Sequence, residues 1–214
     1  MPSTGAETGK FVSAREHYDR LIDEGNDPVL DPPVLAEYMD GWDGDALLEE
    51  LGLTTACRVL EIGVGTGRLA LRVLERGCAA FTGMDLSEKT LETARRHLAA
   101  YENVRLMQGE FPQDVPEGSF DRIYSSLTFM HVCDKEAACR SIAALLAPGG
   151  RAVISLDRER SGVLDMGDRQ IRLYPDEPEQ MIRFLTAVGL IARPVRTLER
   201  AWLVIAERML EILT

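Results

Sequence analysis

The stretch whose reading decides the fold is VLEIGVGTGRLA, Val59 to Ala70. Val59, Leu60 and Ile62 make a short apolar, β-favouring run, as a central strand buried on both faces requires. Gly63, Gly65 and Gly67 follow at alternate positions, and without a Cβ they let a ligand approach the backbone. Beyond Gly67 the spacing turns helical. Leu69 and Val73 lie four apart, as do Ala70 and Leu74, and Gly77 ends the run. Strand, glycine turn and helix in this order form the nucleotide-binding corner of an open α/β sheet, with the helix N-terminus toward the ligand.

The spacing of the glycines narrows the ligand. A dinucleotide fingerprint, G-x-G-x-x-G, needs its third glycine at position 68, where Arg68 stands. The run here is G-x-G-x-G, with an acid, Glu61, two residues before the first glycine.

A length of 214 residues suits one domain with a proper core, and 45% hydrophobic and 28% charged residues are ordinary for a globular chain. The net charge of −11 is spread without a long run of one sign, so no basic face offers itself to a nucleic-acid backbone. No segment approaches the ~20 apolar residues that span a bilayer, and MPSTGAETGK lacks the apolar core of a signal peptide. Cys57, Cys78, Cys133 and Cys139 form no C-x-x-C pair and no array with the three histidines. They read as reduced thiols, mostly buried, with no metal site among them. A cytoplasmic protein is expected, without nucleic-acid or membrane partners.

Along the chain, residues 1–12 are small and polar and are expected to fray. A helix is predicted from Ser13, with Tyr18, Leu21 and Ile22 on its apolar face; DPVLDPP, Asp27 to Pro33, breaks it. Val34 to Met39 and Asp45 to Leu51 predict two more short helices. Strands are predicted at Ala79 to Asp85, Val104 to Gly109, Phe120 to Ser126 and Arg151 to Leu156. Between them lie a helix capped by Ser87 (Leu91, Ala94 and Leu98 inward) and one with Ala138, Ile142 and Leu145 inward, stopped at Ala147-Pro148-Gly149-Gly150. Residues 158–174 form a polar insertion with a small hairpin around Met166-Gly167-Asp168. A helix opened by Pro178 and closed by Gly189 leads to strands Ile191–Leu198 and Ala201–Glu207. The link at Glu199-Arg200 is too short for a parallel crossover, so this last pair is antiparallel. The expected architecture is a Rossmann-like, doubly wound α/β sheet of seven strands. They are mostly parallel with an antiparallel strand near the C-terminus, and helices cover both faces. Residues 1–214 make one domain: a helical cap at 1–52 and a core at 53–214 that carries the 158–174 insertion.

With these residues in place, Arg58 to Arg208 resembles a class I S-adenosylmethionine-dependent methyltransferase of the small-molecule kind. Four motifs recur in sequence order. Glu61 to Gly67 resembles motif I; the resemblance implies that the backbone of Gly63, Gly65 and Gly67 lies against the methionyl and ribose parts of the cofactor, S-adenosyl-L-methionine. Glu61 would order its amino end. Asp85, at the tip of the second strand, matches the acid that accepts both ribose hydroxyls, a task suited to a carboxylate. Leu86 would lie beside the adenine. Glu110 stands where the family usually has Asp for the adenine amino group, and Phe111 would pack on the adenine ring. Ser125 and Ser126 close the fourth strand near the methionyl group, and Leu146 to Gly150 resembles the structural L-x-P-G-G element.

The implied reaction is methyl transfer to an O, N or C acceptor, a small molecule, by in-line displacement, with the hard chemistry carried by the cofactor. Positioning contributes several kcal/mol without a dedicated base. His131 falls where many relatives carry a histidine and is the candidate catalytic base. Tyr18, from the cap, is the candidate aromatic face for the sulfonium. Tyr38, Trp42, Phe129, Met166 and Tyr174 join it as candidate walls of the acceptor pocket. A monomer or homodimer is expected. Two other readings stay open: a methyltransferase-like subunit that binds without catalysis, and an NAD-dependent oxidoreductase, against which Arg68 and the P-G-G element count.

Overall fold

In this computed structural model, which describes residues 9–210, the chain begins with β1 (Lys10–Val12), α1 (Ala14–Asp23), α2 (Pro33–Asp40) and α3 (Gly44–Leu51). The core follows as β2 (Arg58–Ile62), α4 (Arg68–Arg76), β3 (Ala80–Asp85), α5 (Glu88–His97), β4 (Val104–Gln108) and β5 (Phe120–Ser125). A 3₁₀ turn at Phe129–His131 leads to α6 (Lys135–Leu145), β6 (Leu146–Asp157), β7 (Val163–Asp165) and β8 (Arg169–Arg172). The chain closes with α7 (Pro178–Ala187), β9 (Ile191–Thr197) and β10 (Ala201–Glu207).

The VLEI run is central because it is apolar on both faces. Strand alternation sends Leu60 and Ile62 to one side and Val59 and Glu61 to the other. β2 pairs in parallel with β3 and β5, and the main sheet has the order β4-β3-β2-β5-β6-β10-β9. Only β10 runs antiparallel, against β6 and β9, as its short link to β9 demands. The order reverses between β2 and β5, so a crevice opens at the carboxyl ends of the strands there. One face of the sheet packs against α6 and α7 through Ile142, Met181 and Leu185; the other packs against α3, α4 and α5 through Leu47, Leu51, Val73 and Leu91. Among the described residues no helix is long and apolar enough to cross a membrane.

Three expectations need correction. Residues 10–12 are paired: β1 lies parallel to β8 of the insertion hairpin, and with β7 they make a second, three-stranded sheet. Residues 1–8 of the segment expected to fray lie outside the described residues. The break after α6 comes at Leu145, ahead of Pro148; Leu146 already pairs with Phe120 as β6 begins. Of the cysteines only Cys57 and Cys139 are buried, while Cys133 is exposed.

Two neighbouring glycines in the turn after β2 serve different ends. A Cβ on Gly63, at φ +81°, would stand 1.9 Å from Thr128 Oγ1, whereas one on Gly65, at φ +56°, would meet nothing within 4 Å. Gly63→Ala combines left-handed strain with a clash and is expected to cost about 2–5 kcal/mol in urea denaturation. Gly65→Ala carries the strain alone, about 1–2 kcal/mol. Equal losses would refute the steric assignment.

Candidate functional site

The crevice at the strand reversal holds a cavity of about 250 Å³, continuous in its lining with a smaller one of about 50 Å³. Gly63, Asp85, Leu86, Thr128 and His131 line both. Asp85 ends β3 and is 8% exposed. Its Oδ2 accepts from the Gly65 N–H and its Oδ1 from the Ser87 N–H, each at 3.0 Å. Burial raises the Asp85 pKa, and the N–H groups of Ser87, Gly65 and Leu86 work against that rise. The two backbone bonds aim the carboxylate and leave further lone pairs free for a ligand.

Glu61 lines the larger cavity and accepts from Tyr124 Oη at 2.7 Å. Burial pushes its pKa well up, with the Tyr124 bond and Arg68 opposing. Arg68, the residue that displaced the third glycine of a dinucleotide fingerprint, also lines this cavity. It donates to Asp43 at 2.5 Å and Asp40 at 3.2 Å. Buried Asp43 in turn accepts from Ser126 Oγ at 2.5 Å, so the turn after β5, α4 and the cap meet at one carboxylate.

Tyr18 comes from α1 and reaches His131 on the 3₁₀ turn, Oη to Nε2 at 2.9 Å, with the rings edge to face. Burial depresses His131 to about 4, helped by His17 and Lys135. Burial raises Tyr18, and the Asp85 charge adds to the rise. Among the described residues His131 Nδ1 and Thr66 Oγ1 are buried without a hydrogen-bond partner, and both residues line the cavity. Leu127 sits at φ 52°, a left-handed conformation stored beside the site, between Ser126 and Thr128.

Of the expected site residues, Tyr18, Glu61, Gly63, Gly65, Asp85, Leu86, Ser126 and His131 line the larger cavity, and Glu110 and Phe111 line the smaller. Gly67 and Ser125 reach neither. Gly67 is the N-cap of α4 with its open side toward Leu98, and Ser125 Oγ is spent on the Ile62 carbonyl at 2.9 Å. The expected acceptor walls other than Tyr18 line neither of these two cavities. Phe129 is buried in the core, and Met166 is exposed at the hairpin turn. Tyr38 and Trp42 pack edge to face under the Arg200 guanidinium. Tyr174 lines neither cavity and donates its N–H to the Met130 carbonyl at 2.7 Å. Pro28, Met39, Leu127 and Met130 line the larger cavity as well. No spacing signal marks these four; Arg68 carried one, as the departure from G-x-G-x-x-G, and its contact with the cap was not readable from it.

The cavity suits a nucleoside with a charged tail. The open space over Gly65 is a cradle that a Cβ would enter, Asp85 offers a buried acceptor, and Thr66 Oγ1 lacks a partner.

Comparison with known proteins agrees with this geometry. A family model described as a methyltransferase domain matches residues 59–150. A demethylmenaquinone methyltransferase of Tropheryma whipplei is 34% identical over 123 residues, covering 56% of this chain and 50% of that protein. A ubiquinone biosynthesis O-methyltransferase of Neisseria meningitidis is 39% identical over 103 residues, 46% of this chain and 43% of that protein. The chain thus spans about half the length, or less, of these curated relatives. The solved structure described as the DhpI-SAH complex superposes with a TM-score of 0.72 at 21% identity, over 92% of this chain and 95% of that one, which is a likeness of fold. Glycine turn, strand order and family match converge: residues 59–150 match the methyltransferase-domain family, and the sheet is alike in fold to the one in the DhpI-SAH complex structure.

Proposed function

We propose that this chain is an S-adenosyl-L-methionine-dependent methyltransferase that methylates a small molecule. The observation that carries the reading is the buried Asp85 carboxylate, aimed by the Gly65 and Ser87 N–H groups into a cavity floored by the open face of Gly65. When bound, the cofactor supplies an electrophilic methyl on a sulfonium and departs as a neutral thioether. Asp85 accepts the two ribose hydroxyls, and Leu86 and Phe111 flank the adenine, with Glu110 at its edge. Glu61 and Arg68 face the methionyl end, where an acid and a guanidinium meet an ammonium and a carboxylate. Tyr18 covers the sulfonium from the cap. The cap, the core and the 158–174 insertion act as one unit, because the cap supplies Tyr18 and the insertion holds β1 in front of it.

Isothermal titration tests the cofactor reading: S-adenosylmethionine and S-adenosylhomocysteine bind, while NAD and ATP do not. Micromolar NAD binding without a response to S-adenosylmethionine would return the chain to the oxidoreductases.

Asp85→Asn keeps an acceptor for one backbone N–H and removes the charge. It is expected to weaken S-adenosylhomocysteine binding by ~2–4 kcal/mol. An unchanged affinity in the titration would leave Asp85 with a purely structural role.

The part of the cap ahead of α3 is held to the core by polar ties. Asp19 accepts from Ser87 Oγ at 2.6 Å, Lys89 bonds Asp23 at 2.6 Å, and His97 Nε2 lies 2.7 Å from Asp27. Segments held by few apolar contacts open locally more easily than the core. Hydrogen exchange over residues 13–45 is therefore expected to slow when S-adenosylhomocysteine is added, while Val59–Ile62 stays protected throughout. Equal protection of residues 13–45 with and without ligand would show that the cap is fixed packing, not a lid.

A further inference from the structure

We propose that Tyr18, oriented by His131, donates its hydroxyl proton in a hydrogen bond to an acidic acceptor oxygen that is already ionised when it binds, a carboxylate or an acidic phenolate. The proposal rests on the methyltransferase reading and names its substrate class. His131 is then a positioning residue, not the base that the sequence suggests.

The argument starts from the two nitrogens of one ring. A neutral imidazole carries one N–H and one bare nitrogen. His131 Nε2 meets Tyr18 Oη at 2.9 Å, and His131 Nδ1 is buried with no partner among the described residues. A proton on Nδ1 would be a buried donor with nowhere to go, and such orphaned N–H groups are rarer than under-used acceptors. The proton therefore belongs on Nε2, and the Nε2–H donates to Tyr18 Oη. The phenol is thereby the acceptor of that bond, and its own O–H has no acceptor among the described residues. It stands at the wall of the larger cavity, beside Asp85 and Leu86. The chain His131 to Tyr18 to cavity runs in one direction and ends in a donor.

A donor at that place selects an acceptor with lone pairs and charge. Neither nitrogen of His131 is open to take a proton, since one faces Tyr18 and the other is sealed. Glu61 accepts from Tyr124, and the Asp85 oxygens, each aimed by a backbone N–H, keep their remaining lone pairs for the ribose. The charged and titratable groups around the pair reinforce this. His17 lies beside Tyr18 on α1 and accepts from Arg169 of β8. Lys135 of α6 acts on His131 and is balanced by Asp176, while Asp19 acts on Asp85 at the end of β3. His17, Lys135 and burial together keep His131 neutral down to about 4. The acceptor must therefore bring its own electron pair. Its anionic oxygen forms the new C–O bond as the methyl C–S bond breaks and the bonding pair leaves on sulfur. Anion and sulfonium become a neutral ester or ether and a neutral thioether, and no proton changes hands.

Two measurements on the full chain test this. In ¹⁵N-imidazole spectra with S-adenosylhomocysteine bound, His131, assigned through His131→Gln, is expected to stay neutral with Nε2 protonated between about pH 5 and 7. A proton on Nδ1, or a titration near the ordinary histidine range, overturns the assignment. In turnover with S-adenosylmethionine, benzoate and 4-nitrophenol are expected to be methylated about tenfold faster than their neutral isosteres benzamide and 4-nitroaniline. Tyr18→Phe is expected to raise KM for the acids about tenfold, and His131→Gln to act in the same direction. Preference for the amine or amide, no transfer to either acid, or an unaltered KM in Tyr18→Phe overturns the proposal. Titration with S-adenosylhomocysteine keeps the two levels apart: a chain that binds it but refuses the acids fails this proposal alone, and one that does not bind it fails the cofactor reading.

Discussion

The Asp85 carboxylate is the point on which the site depends. One oxygen holds the N–H of Gly65 and so fixes the glycine turn; the other holds the N–H of Ser87 and so fixes the start of α5. Ser87 then caps α5 through the Thr90 N–H at 3.1 Å and reaches Asp19 in the cap with its hydroxyl proton. One buried acid therefore sets the relative positions of β3, the glycine turn, α5 and α1. Its burial raises its pKa, and the three backbone N–H groups that converge on it work against that rise.

A second set of bonds holds the surroundings of Tyr18 and His131. Lys135, largely buried, donates to the carbonyls of Phe129 and Tyr174 and to Asp176 Oδ1. It thereby ties the 3₁₀ turn that carries His131 to the end of the insertion. On the far side of Tyr18, Arg169 of β8 donates to Glu24 at 2.7 Å and to His17 Nδ1 at 3.0 Å. Tyr18 and His131 thus sit between two anchors, each a cation placed on a different part of the chain. Rigidity of this kind is what a hydrogen-bond donor needs if it is to act by position.

The main sheet was legible because its signals are local: apolar runs, a glycine triplet, a proline-glycine stop and helices with regular apolar spacing. Asp85, Glu61 and Leu86 followed from their distance to that triplet. What escaped depends on contacts between remote segments. Lys10–Val12 is three residues long and finds its partner in Arg169–Ile171, a pairing that no local pattern announces. Tyr18 and His131 were each named, yet the bond between them spans 113 positions and no local pattern announces it. Aromatic character alone pointed to Phe129, Tyr38 and Trp42 as walls; packing sent the first into the core and the other two beneath Arg200.

Neither hydrophobic cluster of the core contains a residue from the described part of the chain before Ala46. The part of the cap ahead of α3 thus lines the site while standing outside the apolar packing that keeps the sheet folded. Substitutions in α1, in α2 and in the segment between them reshape the cavity wall at Tyr18, Met39 and Pro28 with little consequence for the core. Such a division lets the chemistry of that wall be altered without disturbing the apolar layers on which the sheet is built.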